Sequence, residues 1–153
     1  MATEQENKNK ELVLNEYEEV WNKGNFDFAH TAVSPKFEDH PPTRFFDVGR
    51  VGPEALKEAA MKFRSGFRDF HDTAELLITE GDKVVYLGMI DGHHEAEAFG
   101  FPPTGRMMRV WGVNFFRLED GQIVEQGSRV ALSADPDSRL SQLTRTGLAE
   151  VLA

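Results

Sequence analysis

Apolar positions in the N-terminal stretch recur with the spacing of one helix face: Val13, Leu14, Tyr17, Val20 and Trp21. Thr3 and Glu6 precede them at capping-box spacing, and Gly24 follows as a helix-stopping glycine, so the pattern predicts a first helix with both ends marked. Asn25 can cap a short second helix in "FDFAHTAV", which ends before Ser34-Pro35. "KFEDHPPTRFF" reads as a short extended piece leading into a loop. Gly52-Pro53-Glu54 opens a third helix, with proline at its first position and an acid in its first turn. Leu56, Ala60, Phe63 and Phe67 form the expected buried face of that helix.

From His71 onward the period changes. "HDTAELLITE", "KVVYLGMIDGHHEAEAF", "RMMRVWGVNFFRLE" and "QIVEQGSRVALSA" are four strand-like runs. Gly81-Asp82 separates the first two and Asp120-Gly121 the last two, both hairpin signals, while "GFPPTG" makes the middle connection. Asp135 and Pro136 then supply the cap and first residue of a last helix, which Gly147 ends. Helices come first and a meandering sheet second, which predicts an α+β domain with helices packed on one face of a curved antiparallel sheet. With no repeat or linker, residues 1–153 read as one domain, with a polar tail or helix start at 1–9 and a C-terminal tail at 148–153.

A chain of 153 residues can bury a real core and a ligand-sized cavity. Twelve phenylalanines, against two tyrosines and two tryptophans, suit an aromatic-lined interior and suit a large apolar core equally well. The net charge of −9 repels phosphate backbones and anionic membranes, so neither nucleic acid nor membrane is an expected partner. The absence of cysteine excludes disulfides, thiol nucleophiles and thiolate metal sites. "MATEQENKNK" has no charged-then-apolar signal pattern. No apolar run approaches the roughly 20 residues of a membrane span, so the expected location is the cytoplasm.

The chemistry concentrates in "DGHHEAEAFGFPPTGRMMRVW", residues 91–111. His93, His94, Glu95 and Glu97 look like a metal-ligand list, but neighbours on a strand point to opposite faces. Alternation puts His94 with Tyr86, Ile90 and two alanines, and puts His93 with Glu95 and Glu97. At most one histidine can face a given site, so no metal is expected. His93 reads as a solvated outward residue. His94 is either a satisfied core histidine or a titratable group lining a cavity.

"GHHEAEAFGFPPTGR", followed by a strand ending "FFRLEDGQIVEQ", resembles the SnoaL-like polyketide cyclase family of the NTF2-like superfold. "WNKGNFD", "FEDHPP" and "FRSGFRDF" fit the same resemblance, which spans roughly residues 10–147. It implies a cone-shaped sheet wrapped by helices around a central apolar cavity, in a homodimer or higher homo-oligomer. It also implies a small aromatic, polyketide-like ligand and no cofactor. The activity implied is intramolecular aldol closure of an aromatic polyketide ester: one positioned acid/base removes a proton flanked by carbonyls. Relatives of this type also hydroxylate similar substrates.

The sequence departs from the family where the last strand usually reads Ile-x-Glu-x-Trp-x-x-x-Asp. Glu125 matches, but Gly127 replaces the tryptophan and Ala131 the catalytic aspartate. Asp135 lies four residues on, about 13 Å along an extended strand, and is better used as a helix cap. Alternation places Glu125, Gly127, Arg129 and Ala131 on one face, the cavity face by resemblance. There Arg129 either pairs with His94 to bind an oxygen-rich substrate or reaches the rim in an ordinary salt bridge. His94 is then the best remaining base, because an imidazole titrates near neutral pH, with His40 second. Of Trp111 and Asn114, on opposite faces of one strand, only one can line the cavity; Phe63 and Tyr17 complete the candidate substrate-binding set. His30 and His71 read as structural or exposed. Three readings follow: a cofactor-free cyclase or hydroxylase, a binding protein that keeps the cavity without catalysis, and, more remotely, a hydrolase of small epoxides or lactones.

Overall fold

The first helix owes its boundaries to two local devices. Thr3 Oγ1 accepts the Glu6 N–H at 3.2 Å while the Thr3 N–H donates to Glu6 Oε2 at 2.7 Å, the reciprocal capping box. In the computed structural model, which describes residues 1–40, 51–98 and 101–133 but not the side chains of 110 and 128–133, α1 runs Glu4–Glu16. It continues as a π-helical segment over Tyr17–Asn22 and stops at Gly24, whose φ of 73° is left-handed. The buried face runs Asn9, Val13, Glu16 and Val20 at α-helical spacing with Tyr17 and Trp21 beside it, so Leu14, expected there, is exposed. Arg64 closes the segment by donating from Nη1 to the carbonyls of Trp21 (2.7 Å) and Asn22 (2.6 Å).

The second predicted helix is a 3₁₀ turn, Phe26–Phe28, running into the short α2, Ala29–Ala32. β1 follows at Val33–His40. α3 spans Pro53–Gly66 with proline at its start, burying Leu56, Ala59 and Ala60. Phe67, expected on that helix, is instead the first residue of β2 (Phe67–Glu80) and is buried there. β3 (Lys83–His94), β4 (Met107–Glu119) and β5 (Gln122–Ser133) complete the sheet, with turns at Gly81-Asp82 and Asp120-Gly121. The helix expected from Asp135, and most of the loop after His40, lie outside the described residues.

The strands lie in the order β1-β5-β4-β3-β2. The sheet is mixed, not antiparallel throughout, because β1 runs parallel to β5. Helices flank β1 on both sides in the chain, so no hairpin forces it to run against its neighbour. Bulges interrupt β2 near Asp69 and at Glu75, and β5 near Val124 and Arg129. Each adds an unpaired residue and bends the sheet around the helices. The concave face carries Val84, Tyr86, Gly88, Ile90, Gly92 and His94 of β3, with Met108, Gly112, Asn114, Phe116 and Leu118 of β4. The helices cover this face. Trp111 and Phe115 of β4, with Leu76 and Ile78 of β2, are exposed on or near the other.

Candidate functional site

Tyr86 and Asp72 mark the middle of the concave face. The Tyr86 hydroxyl donates to Asp72 Oδ1 at 2.6 Å, and both residues are buried. Gly88 makes this contact sterically feasible: a Cβ there would stand 2.3 Å from Tyr86 Cε1 and 2.4 Å from Asp72 Oδ1. The ring therefore lies flat across bare backbone. Tyr17, from the π-helical segment, stacks on Tyr86 with centroids 3.9 Å apart and planes 5° apart. Asn22 fixes the Asp72 backbone by accepting its N–H at 2.7 Å and donating to its carbonyl at 2.9 Å. Burial raises the Asp72 carboxyl to about 6 although the Tyr86 hydrogen bond pulls the other way.

Glu16 is the most deeply buried acid of the described chain, with no exposed surface. Trp21 Nε1–H donates to its Oε1 at 2.7 Å. Its Oε2 has no hydrogen-bond partner among the described residues. Burial pushes this carboxyl up to about 8, the Trp21 bond offsets part of the rise, and the charges of Asp72 and Asp39 add to it. Asp39 on β1 is also raised by burial, so three carboxyls address the same interior.

His94 forms the other end of the concave row. It is 1 % exposed, and its ring sits 5.2 Å from that of Phe67. The Pro-Pro-Thr-Gly turn folds back onto it. The His94 N–H donates to the Arg106 carbonyl (2.9 Å), the Gly105 N–H to the His94 carbonyl (2.8 Å), and Nδ1 lies 3.1 Å from Thr104 Oγ1. Nε2 is buried with no partner among the described residues. Rings bridge the two ends. Trp21 meets Phe63 at 5.7 Å, and Phe63 meets Phe67 at 6.4 Å.

Of the residues expected at the site, Tyr17, Phe63, Asn114 and His94 come together in this interior; Asn114 stands opposite Tyr86 in register. Trp111 does not, because strand alternation turns it to the exposed face. Glu125 is likewise outside: Arg117 Nε–H donates to its Oε2 at 3.0 Å, and His40 Nε2 lies 3.0 Å from its Oε1. His40 thus belongs to an outer ion-pair chain instead of the interior. The bulge is the reason the alternation failed. Arg129 is the extra residue between Ser128, opposite Asn114, and Val130, opposite Val113, so Glu125 and Ala131 do not share one row. The Arg129 side chain lies outside the described residues. His93 faces outward but is half-buried against Asp69, its Nδ1 3.0 Å from Oδ2, and the bonds from His93 hold that carboxyl below its usual range. His30 pairs at the surface with Glu54, and His71 is exposed.

The expected apolar lining is interrupted by acids that sequence reasoning missed: Glu16, Asp72 and Asp39. A signal existed for Asp72. The Gly81-Asp82 turn fixes the β2–β3 register, and Asp72 pairs with Ile90 on the inward row once one bulge is allowed. Glu16 had a weaker one, a carboxylate immediately before the inward Tyr17. Ala131, at the position of the family aspartate, pairs with Gly112, which pairs in turn with Gly88 beneath Tyr86 and Asp72. Among the described residues no group of three or more histidines and acids could hold a metal ion, and no helix is long and apolar enough to cross a membrane.

A model of the SnoaL-like polyketide cyclase family matches residues 11–131. Solved structures agree. A candidate SnoaL-like polyketide cyclase from Jannaschia sp. CCS1 superposes with a TM-score of 0.76 at 27 % identity, over 84 % of this chain and 88 % of that one. IdmH, a candidate polyketide cyclase from Streptomyces antibioticus, gives 0.72 at 26 %, over 88 % and 97 %. AclR, a candidate hydroxylase from Streptomyces galilaeus, gives 0.70 at 21 %, over 92 % and 98 %, a likeness of fold. No curated protein sequence matches.

Proposed function

The chain belongs to the SnoaL-like polyketide cyclase family, and on that premise we propose that it is a cofactor-independent enzyme that closes a ring in an aromatic, multi-carbonyl small molecule, with His94 as acid/base. The observation that carries this reading is the buried, unpartnered Nε2 of His94 beside a Thr104 hydroxyl that can hold Nδ1. With the hydrogen on Nδ1 donated to Thr104 Oγ1, Nε2 keeps a lone pair directed into the interior. It can remove a proton flanked by two carbonyls. The carbanion, delocalised onto oxygen, attacks a ketone, and the new alkoxide takes the proton back. Few waters compete in a buried site, so the proton transfer stays between enzyme and ligand.

Mass spectrometry of the protein incubated with a panel of aromatic polyketide methyl esters tests this. The expected product has unchanged mass and a new retention time, and is absent with His94→Ala. Gain of one oxygen would instead make the protein a hydroxylase of a similar substrate. Ligand co-eluting without product would make it a binding protein. A cytoplasmic homodimer goes with this reading, joined over the exposed sheet face at Trp111 and Phe115. Trp111→Glu should then halve the mass seen in sedimentation.

A further inference from the structure

We infer that Glu16 is a ligand-binding residue, held as a neutral carboxylic acid whose Oε2–H donates a hydrogen bond to a carbonyl or phenolic oxygen of the bound aromatic molecule. This rests on the reading of His94 as the reacting end, and it adds a second anchor at the opposite end of the ligand.

Geometry carries the argument. A carboxyl with no exposed surface and no cation beside it is costly to bury, and one hydrogen bond from Trp21 meets only part of that cost. Trp21 satisfies Oε1 only, so a proton on Oε2 has no acceptor among the described residues. The charged groups that act on Glu16 are Asp72 from β2 and Asp39 from β1, both negative, so they favour its protonated form. Tyr17, next to it in the chain, and Tyr86, stacked on Tyr17, are likewise held neutral by burial. An acid in these surroundings has a donor to offer and repels carboxylate ligands. It selects oxygens that accept: ketones, ester carbonyls, quinones and phenols. Trp21, Phe63 and Phe67 form the run of rings between this donor and His94, an edge-and-face lining chemically suited to an aromatic body with an oxygen at each end.

Infrared difference spectroscopy with 1,8-dihydroxyanthraquinone as probe tests the inference, binding being followed independently by the visible absorbance of the probe. At pH 7 the protein should show a protonated-carboxyl C=O band that Glu16→Gln removes and that shifts to lower frequency as the probe saturates. Glu16→Gln, which keeps N–H donors, should bind the probe about tenfold more tightly than Glu16→Leu, the worth of one hydrogen bond. Should neither variant fold, Trp21→Phe identifies the band by moving it to higher frequency without removing it. An absent acid band, a band unmoved by bound probe, or no probe binding would each overturn the inference. The wild type separates the two readings, since His94→Ala is expected to lose turnover and keep the band shift. In the wild type, a band shift without turnover in the ester panel leaves Glu16 as the anchor and refutes the reaction assigned to His94. Turnover with an unmoved band does the reverse.

Discussion

The acids on the two faces of the sheet are the same chemical groups set to opposite ends of their range. Inside, burial raises Glu16, Asp72 and Asp39, and the Trp21 and Tyr86 hydrogen bonds do not compensate. Outside, Glu125 and Glu119 are lowered, first by hydrogen bonds from Arg117 and Lys36, with water still around them. A hydrogen bond therefore sets the sign only where solvent already carries most of the charge. Where solvent is gone, desolvation decides.

The pH consequences run in opposite directions. A carboxyl raised on folding contributes its full stability below its unfolded value and loses it as pH climbs through the folded one. For Glu16 that window is 4.5 to about 8, and for Asp72 it is 3.8 to about 6. The lowered outer acids contribute above 4.5 and lose that contribution as pH falls. The largest expected effect follows from the inner set. Each proton held this way makes unfolding free energy fall by up to about 1.4 kcal/mol per pH unit across its window. Glu16→Gln should flatten that slope, gaining as much as about 4 kcal/mol on the wild type between pH 5 and pH 8 in chemical denaturation. An unchanged slope would mean that Glu16 is ionised inside.

Gly88→Ala probes the same face sterically. Its methyl must displace the Tyr86 ring or the Asp72 carboxylate, so a loss of about 2–3 kcal/mol in thermal unfolding is expected. Thr104→Val keeps the volume and removes the hydroxyl beside His94 Nδ1. Turnover should fall about tenfold or more with little change in stability, since the ring loses its orienting partner. The smallest effect belongs outside: Glu125→Gln should change stability by under about 0.5 kcal/mol at neutral pH, because exposed ion pairs contribute little. A large loss there would erase the distinction between the faces.

Devices written in consecutive residues were legible in the sequence: the Thr3–Glu6 box, the Gly24 stop, Pro53 at a helix start and the two hairpin turns. His94 inward and His93 outward also followed from alternation alone. What stayed hidden depends on residues distant in the chain. The π-helical segment that follows Glu16 is closed by Arg64, forty-two residues from Asn22. β1 finds β5 without a turn to announce it, and the Arg129 bulge breaks the parity on which Glu125 was placed. Acids are read as solvent-facing by default, and that default fails where a stacked tyrosine pair supplies the cover.

The two tryptophans fall on opposite sides of this arrangement, one bonded to Glu16 and one on the exposed face. With Trp111→Phe, all the indole emission comes from Trp21, whose N–H is tied to the carboxyl that burial pushes up to about 8. Ionising that carboxylate places a negative charge beside the pyrrole side of the indole, and the emission should change in intensity and wavelength as pH is raised through that region. The protein thus carries its own optical gauge of the protonation of its interior, readable without a label and in the presence of any ligand that does not absorb at the indole wavelengths.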